Sequence, residues 1–303
     1  MSRDVAQYSR HPHNRAALLF LAPWLLGFFG LTLLPMLGSL YLSLTSYDLL
    51  TAPRWIGLHN FAQLFTADPR YIQSIKVTVI YVFVSVPLRL VLALALAMVL
   101  RRGLKAIGLF RAAFYLPSLL GGSVAIAVLW RRLFAGDGLL NLALGEFGLD
   151  GLPSWVSNPD YAVYTLVLLA VWEFGSPMII FLAGLNQIPK DLYDAAAVDG
   201  AGRVATFFRV TIPLLTPIIF FNLIMQVIGS FKTFTPAFVV SAGTGGPADS
   251  TLFYTLYLYQ QGFTFFHMGY AAAMAWVLLA VIAAITAVNF LGSRYWVFYE
   301  DVA

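Results

Sequence analysis

The sequence predicts an all-α integral membrane protein, with six transmembrane helices and a short cytoplasmic helix between spans four and five. Three observations carry this reading. Of 303 residues, 60% are hydrophobic and 11% are charged, against about 45–50% apolar and about 25% charged in an ordinary soluble domain. Mean hydropathy is +0.81. The apolar residues also gather into blocks long enough to cross a bilayer core, which takes about 20 residues per helix. With 18 Lys+Arg and 14 Asp+Glu, the chain has too little charge to cover the surface of a soluble core. The same figures exclude a disordered chain, a collagen-like chain and a soluble two-domain enzyme.

The first span lies within Ala16–Tyr47, a stretch without a charged residue. Basic residues precede it, as in a signal peptide, but a signal h-region runs only about 7–15 residues, so a retained helix is expected. Span two is Val77–Leu100, interrupted only by Arg89. Span three is Ala112–Trp130 and contains Pro117 and the Gly121-Gly122 pair. Span four covers Tyr161–Leu185, with Glu173 near its middle. Span five runs from about Ile212 to Phe231 and opens with Pro213 and Pro217, and span six is Met268–Ser293. Residues 1–15 and 294–303 read as tails around a single transmembrane domain, 16–293. Between Asp249 and His267, Leu252, Phe253, Leu256, Tyr259 and Phe263 fall at helical spacing. Following the turn-rich Gly243–Pro247, they read as a re-entrant or interfacial hairpin whose aromatic face meets the membrane boundary.

Charge supplies the orientation. With a cytoplasmic N-terminus, Arg3, Arg10, Arg15, Arg101, Arg102, Lys105, Arg111, Lys190, Arg203, Arg209 and Arg294 fall inside. Arg54, Arg70, Lys76, Arg131, Arg132 and Lys232 fall outside. The excess of Lys and Arg on the first side places both termini in the cytoplasm. The net charge of +4 is therefore read as topology, not as a nucleic-acid footprint. Zero Cys excludes disulfides, thiolate metal sites and a Cys nucleophile, and the four His lack metal-ligand spacing.

The loop between spans four and five has its own logic. Pro189 stands at a helix start, Asp191 suits the positive end of that helix, and Ala195–Ala197 favour its interior. Gly200 and Gly202 stop it, and a second short helix leads into span five. The result is a small helix–turn–helix with a face of small residues that fits a partner's cleft. Within the spans, Arg89 and Glu173 are costly in hydrocarbon unless paired or wetted, and their opposite signs invite a pair.

This loop resembles the EAA loop of bacterial ABC importer permeases. Asp194-Ala195-Ala196 stands at the E-A-A, Gly200 at the glycine, and Val210, Ile212, Pro213 and Pro217 at the exit. Asp replaces the usual Glu, one methylene shorter. Gly57-Leu58-His59-Asn60-Phe61, Phe110-Arg111 to Leu116-Pro117, Gly138-Leu139-Leu140-Asn141 and Gly245-Gly246-Pro247 resemble further motifs of carbohydrate-uptake permeases of the maltose and glycerol-phosphate type. The resemblance spans nearly the whole chain.

It implies half of a translocation path for a sugar or related solute, in the bacterial inner membrane. The implied partners are a second permease (a heterodimer), two ABC ATPase subunits and a soluble extracytoplasmic binding protein, with no nucleic acid. ATP and Mg are used by the partner ATPases. This chain has no GxxxxGK[ST] loop, binds no cofactor of its own and is not an enzyme. Tyr193, Asp194, Ala195, Ala196, Asp199, Gly200 and Phe207 are the expected ATPase-coupling residues, with Asp194 in a salt bridge. Position in the family, together with polarity, points to Ser118, Gly122, Trp172, Glu173, Gln226, Ser230 and Thr233 along the substrate path, although such residues in spans also serve helix packing. An intramembrane aspartyl protease fails because Asp137 and Asp194 fall on opposite sides of the membrane. An ion-coupled secondary transporter is the alternative, marked by proton-sensitive uptake without ATP.

Overall fold

The computed structural model describes residues 13–101, 107–149 and 151–298. Arg3, Arg10, Arg102 and Lys105 of the charge count, and the last residues of the C-terminal tail, lie outside the described residues. In chain order the helices are α1 (His13–Gly27), α2 (Leu34–Ser43), α3 (His59–Thr66), α4 (Pro69–Arg101), α5 (Ile107–Leu120), α6 (Val124–Leu133), α7 (Leu139–Gly145) and α8 (Ala162–Trp172). There follow α9 (Gly175–Gln187), α10 (Lys190–Val198), α11 (Arg203–Thr206), α12 (Ile212–Phe231), α13 (Thr235–Val240), α14 (Tyr254–Tyr259) and α15 (Met268–Trp296). Strand pairing among the described residues is confined to Thr45–Ser46 against Arg54–Trp55. Four continuous helical stretches are long and apolar enough to cross a membrane, and six spans result if the two bent pairs, α5–α6 and α8–α9, each count as one.

Proline shapes two of these helices in the same way. A proline lacks the N–H that would bond the carbonyl four residues back and clashes with that carbonyl. Before Pro35 the chain widens into a π segment, Phe28–Leu33, that holds Leu31. Before Pro213 a second π segment, Phe207–Thr211, holds Arg209. Each wider turn absorbs the misfit while the helix continues.

The longest helix, α4, runs 33 residues, about 50 Å at 1.5 Å per residue, and so outruns a hydrocarbon core of about 30 Å. Its start is set by local chemistry and not by the bilayer. Pro69 occupies the first helical position, and the Asp68 carboxylate accepts from the Tyr71 N–H at 3.0 Å. Helices α8, α9, α12 and α14 pack around α4, which carries much of the core, including Tyr71, Ala93, Ala97 and Leu100.

Two sequence expectations change. Span three is not a straight crossing: α5 and α6 meet at 96° across Gly121–Ser123. The turn is stabilised where the Ser123 hydroxyl caps α6 by accepting from the Ile126 N–H. The segment after Asp249 does form a short helix, α14, but its apolar face turns into the protein. Leu252 and Leu256 are fully buried, the Phe253 ring lies tilted against that of Tyr81 with centroids 4.7 Å apart, and the Tyr254 N–H donates to the Thr78 hydroxyl at 2.8 Å. Tyr71, in the overhang of α4, adds an edge-on contact to Tyr254 at 5.6 Å. Phe263, at the far end, is the member of the set that stays exposed.

Candidate functional site

The first feature is the break between α8 and α9. Helix α8 stops at Trp172, and the carbonyl of Glu173 would bond the N–H of residue 177 if the helix continued. That residue is Pro177, which has no N–H. The orphaned carbonyl is taken up from elsewhere. Arg89 donates to it from Nε at 3.0 Å and from Nη2 at 2.6 Å, and the Ser118 hydroxyl donates at 2.9 Å. Ser118 in turn accepts from the Ser176 N–H at 2.9 Å. The two half-helices meet at 40°.

The same arginine neutralises the side chain. Nη2 of Arg89 lies 3.2 Å from Oε2 of Glu173, so the expected pair forms. Two glycines make room for it: a Cβ on Gly121 would collide with the Glu173 side chain, and one on Gly175 would strike the backbone of Phe114 and Tyr115. Small residues here therefore permit close helix approach.

Beside the pair opens a cavity of about 330 Å³. Gly122, Glu173, Gln226, Ser230 and Thr233, five of the seven residues expected along a substrate path, line it. Ser118 stands behind, holding the Glu173 carbonyl. Trp172 is not brought to the cavity; its ring packs on Trp130 at 5.9 Å. Sequence reasoning did not select Tyr81, Lys232 or Phe234, which also line it. The usable signal for the break itself was the Glu173–Pro177 spacing, which leaves a carbonyl without its donor.

The second feature is α10. Asp194, Ala195, Asp199 and Gly200 are exposed and Ala196 is half-buried. Gly200 takes φ +76°. The Ala201 N–H reaches the Ala196 carbonyl at 2.9 Å and the Gly200 N–H the Ala197 carbonyl at 3.1 Å, the paired bonds of a Schellman stop. Tyr193 faces the other way. Its hydroxyl accepts from Arg101 Nη1 at 2.8 Å and lies 3.2 Å from the Thr211 hydroxyl. The Arg101 guanidinium sits 4.7 Å from the ring centre. Tyr193 thus ties α10 to the end of α4 and to the π turn that opens α12. Phe207, in that turn, is half-buried and meets Phe208 edge-on at 4.9 Å.

A third cluster, at the other end of α4, was not legible in the sequence. Asp68 accepts from the hydroxyls of Tyr257, at 2.7 Å, and Tyr270. Tyr257 accepts from Gln261, whose side-chain oxygen lies 2.9 Å from His267 Nδ1. Arg70 grips Asp249 through two bonds of 2.7 and 2.9 Å. Burial first, and then the bond to Asp68, raises the Tyr257 phenol above its ordinary value, so it stays a neutral donor. Among the described residues no group of three or more His, Asp or Glu side chains could hold a metal ion.

Comparison with known proteins bears on these features. The family model described as "Binding-protein-dependent transport system inner membrane component" matches residues 64–295. The probable ABC transporter permease protein YesP of Bacillus subtilis (strain 168) is 54% identical over 95% of this chain and 93% of its own. The lactose transport system permease protein LacF of Rhizobium radiobacter is 34% identical over 91% of this chain and 93% of its own. Among solved structures, a chain of a bacterial alginate ABC transporter in complex with an alginate pentasaccharide-bound periplasmic protein superposes with a TM-score of 0.77. It is 23% identical and covers 95% of this chain and 98% of that one, a likeness of fold.

Proposed function

The chain belongs to the family of binding-protein-dependent transport system inner membrane components, and from that premise we propose that it forms half of the path of an ATP-driven importer for a sugar or related solute. Relatives of known cargo support the solute class, lactose for LacF among them. The cavity beside Arg89 and Glu173 is the candidate path. Its lining of amide, hydroxyl and aromatic groups suits a polyhydroxylated solute. A second permease, two ATPase subunits and a soluble binding protein complete the assembly, with both termini of this chain in the cytoplasm. Helix groups rocking around a site between the spans give alternating access.

The observation that carries the coupling is the tie at Tyr193. An exposed helix with a sharp stop is joined through one hydroxyl to α4 and to the opening of α12. A displacement of α10 by bound ATPases is therefore passed to two spans that border the cavity. In this reading Asp194 makes the salt bridge to the ATPase, Ala195 and Ala196 allow close seating in its groove, and Gly200 fixes the turn that presents them.

The test is to tag this subunit, extract it gently from its native host and identify its companions by mass spectrometry, followed by uptake in proteoliposomes. A second permease and an ATPase, with ATP-dependent uptake, are expected. Recovery of this chain alone, with ATP-independent and proton-sensitive uptake, would instead indicate the ion-coupled secondary transporter. Asp194→Lys should abolish ATP-dependent uptake while the complex still hydrolyses ATP, whereas Asp194→Glu should retain uptake. Normal uptake by the lysine variant would remove Asp194 from the interface.

A further inference from the structure

Among the described residues, two side chains within the spans are buried with no partner for their polar atoms: Ser85 on α4 and Asn222 on α12. Ser85 lies one turn from Tyr81 and one turn from Arg89, and Asn222 lies one turn from Gln226; all three neighbours line the α8–α9 cavity. Asn222 is the costlier of the two. It is 1% exposed, and neither its Oδ1 nor its Nδ2 is bonded. A buried amide left idle loses its hydration with nothing in its place, and hydrocarbon holds no water to restore it. Asn289, on α15, is treated differently: it donates to the Ile285 carbonyl four residues back at 2.8 Å. A polar residue in a span ordinarily ties its helix to a neighbour through a hydrogen bond, and Asn222 makes none.

Its position gives the idle amide a use. Asn222, Gln226 and Ser230 follow at four-residue intervals and share one face of α12. Gln226 and Ser230 line the cavity, and Asn222 is the next rung, about 6 Å toward α10. The rung beyond it is Ile218, which closes on Gly184 of α9: a Cβ on that glycine would collide with the Ile218 side chain and lie 3.1 Å from that of Leu215. The amide therefore sits between the cavity and an apolar seal. The helix that carries the seal is weakened at that point. Pro217 leaves the Pro213 carbonyl without its helical donor, and the Thr216 hydroxyl takes it up at 2.6 Å. The π turn that meets Tyr193 lies immediately before.

We propose that Asn222 is a latent rung of the solute path: when α10 moves the start of α12, Ile218 leaves Gly184, and the Asn222 amide joins the lining and hydrogen-bonds the passing solute. The proposal rests on the reading of the cavity as the solute path and adds the direction in which that path extends. Held without partners while the seal is closed, the amide also favours opening.

The chain has no cysteine, so an introduced thiol reports a single position. Asn222→Cys, Ile218→Cys, Gln226→Cys and Ala273→Cys are each built into the full complex in nanodiscs. They are treated with N-ethylmaleimide, which needs a thiolate in water, without nucleotide and after trapping with ATP and vanadate. Labelling is read on this subunit after electrophoresis. Gln226→Cys, in the cavity, should label, and Ala273→Cys, buried on α15, should stay protected. Asn222→Cys and Ile218→Cys should label in the same one of the two states, faster there by about tenfold or more, the scale of a minor arrangement becoming the major one. Protection of position 222 in both states, equal labelling in both, or labelling shared by Ala273→Cys would overturn the proposal and leave the cavity as the path. Protection of Gln226→Cys in both states would overturn the cavity reading and the proposal with it. Asn222→Leu, which removes the amide at similar volume, should melt at or above the parent temperature. A fall of several degrees would show an amide held by a fixed partner such as an ordered water, and would also overturn the proposal.

Discussion

Arg89 touches Glu173 in two chemically different ways, and the two need not be lost together. Two of its bonds go to the main-chain carbonyl that Pro177 leaves without a donor, and one goes to the carboxylate. Glu173→Gln removes the side-chain charge but keeps the carbonyl bonds, so its cost should be small, about 1 kcal/mol. Arg89→Met strips the carbonyl of two donors and leaves a carboxylate without its counter-charge, which should cost about 3–5 kcal/mol, discounted where water reaches the pair. Together the two changes should cost less than Arg89→Met alone, because no stranded charge remains. Melting of the four proteins in detergent measures this order. A double variant as damaged as the sum of the singles would show that the charges are not coupled. The pair was readable as two opposite charges inside apolar spans. The carbonyl bonds were readable only through the Glu173–Pro177 spacing, a backbone argument that residue polarity does not reveal.

Helices here were legible to different depths. Span six was placed within a few residues, because a long uncharged run permits little else. Span two was expected from Val77, but α4 begins at Pro69. Its start obeys the Asp68 cap and not the hydrophobic boundary. The Gly121-Gly122 pair marked a weak point in span three, yet the 96° turn depends on what α5 and α6 pack against. The apolar face of α14 was correctly phased and assigned the wrong neighbour, since periodicity identifies a buried face without naming what buries it. The α8–α9 bend allows a direct test. Pro177→Ala restores the missing N–H, so the Glu173 carbonyl can be satisfied within the helix. The variant should melt at or above the parent temperature while uptake falls severalfold, because Arg89 loses its backbone anchor. Unchanged uptake would show that the bend has no part in transport.

At the scale of the whole chain, the described residues leave a large apolar surface open. Leu19 and Phe20 of α1 and Leu31 of the π segment that follows it are 74%, 82% and 83% exposed. Such a surface is satisfied by lipid or by another subunit, not by water. Expression with its partner permease should raise the monodisperse yield in detergent severalfold over the chain alone, checked by size-exclusion chromatography. The Asp68 cluster belongs to this scale too. Asp68 meets Tyr257 and Tyr270 across 189 and 202 residues of chain, and no local pattern joins positions so distant. It became visible only when α3, α14 and α15 were brought to one end of α4.

That helix carries an arginine at each of three stations: Arg70 on Asp249, Arg89 on Glu173 and Arg101 on Tyr193. Because all three ride on one helical rod, their bearings around its axis are locked in phase at about 100° per residue. A single alanine inserted between Arg89 and Arg101 would swing Arg101 away from Tyr193 by about 100° while leaving the upper two stations aligned. A four-residue insertion would bring it back to within about 40°. If α4 works as a camshaft between the cavity and α10, uptake should vanish with the first insertion and partly return with the second, following angle and not length.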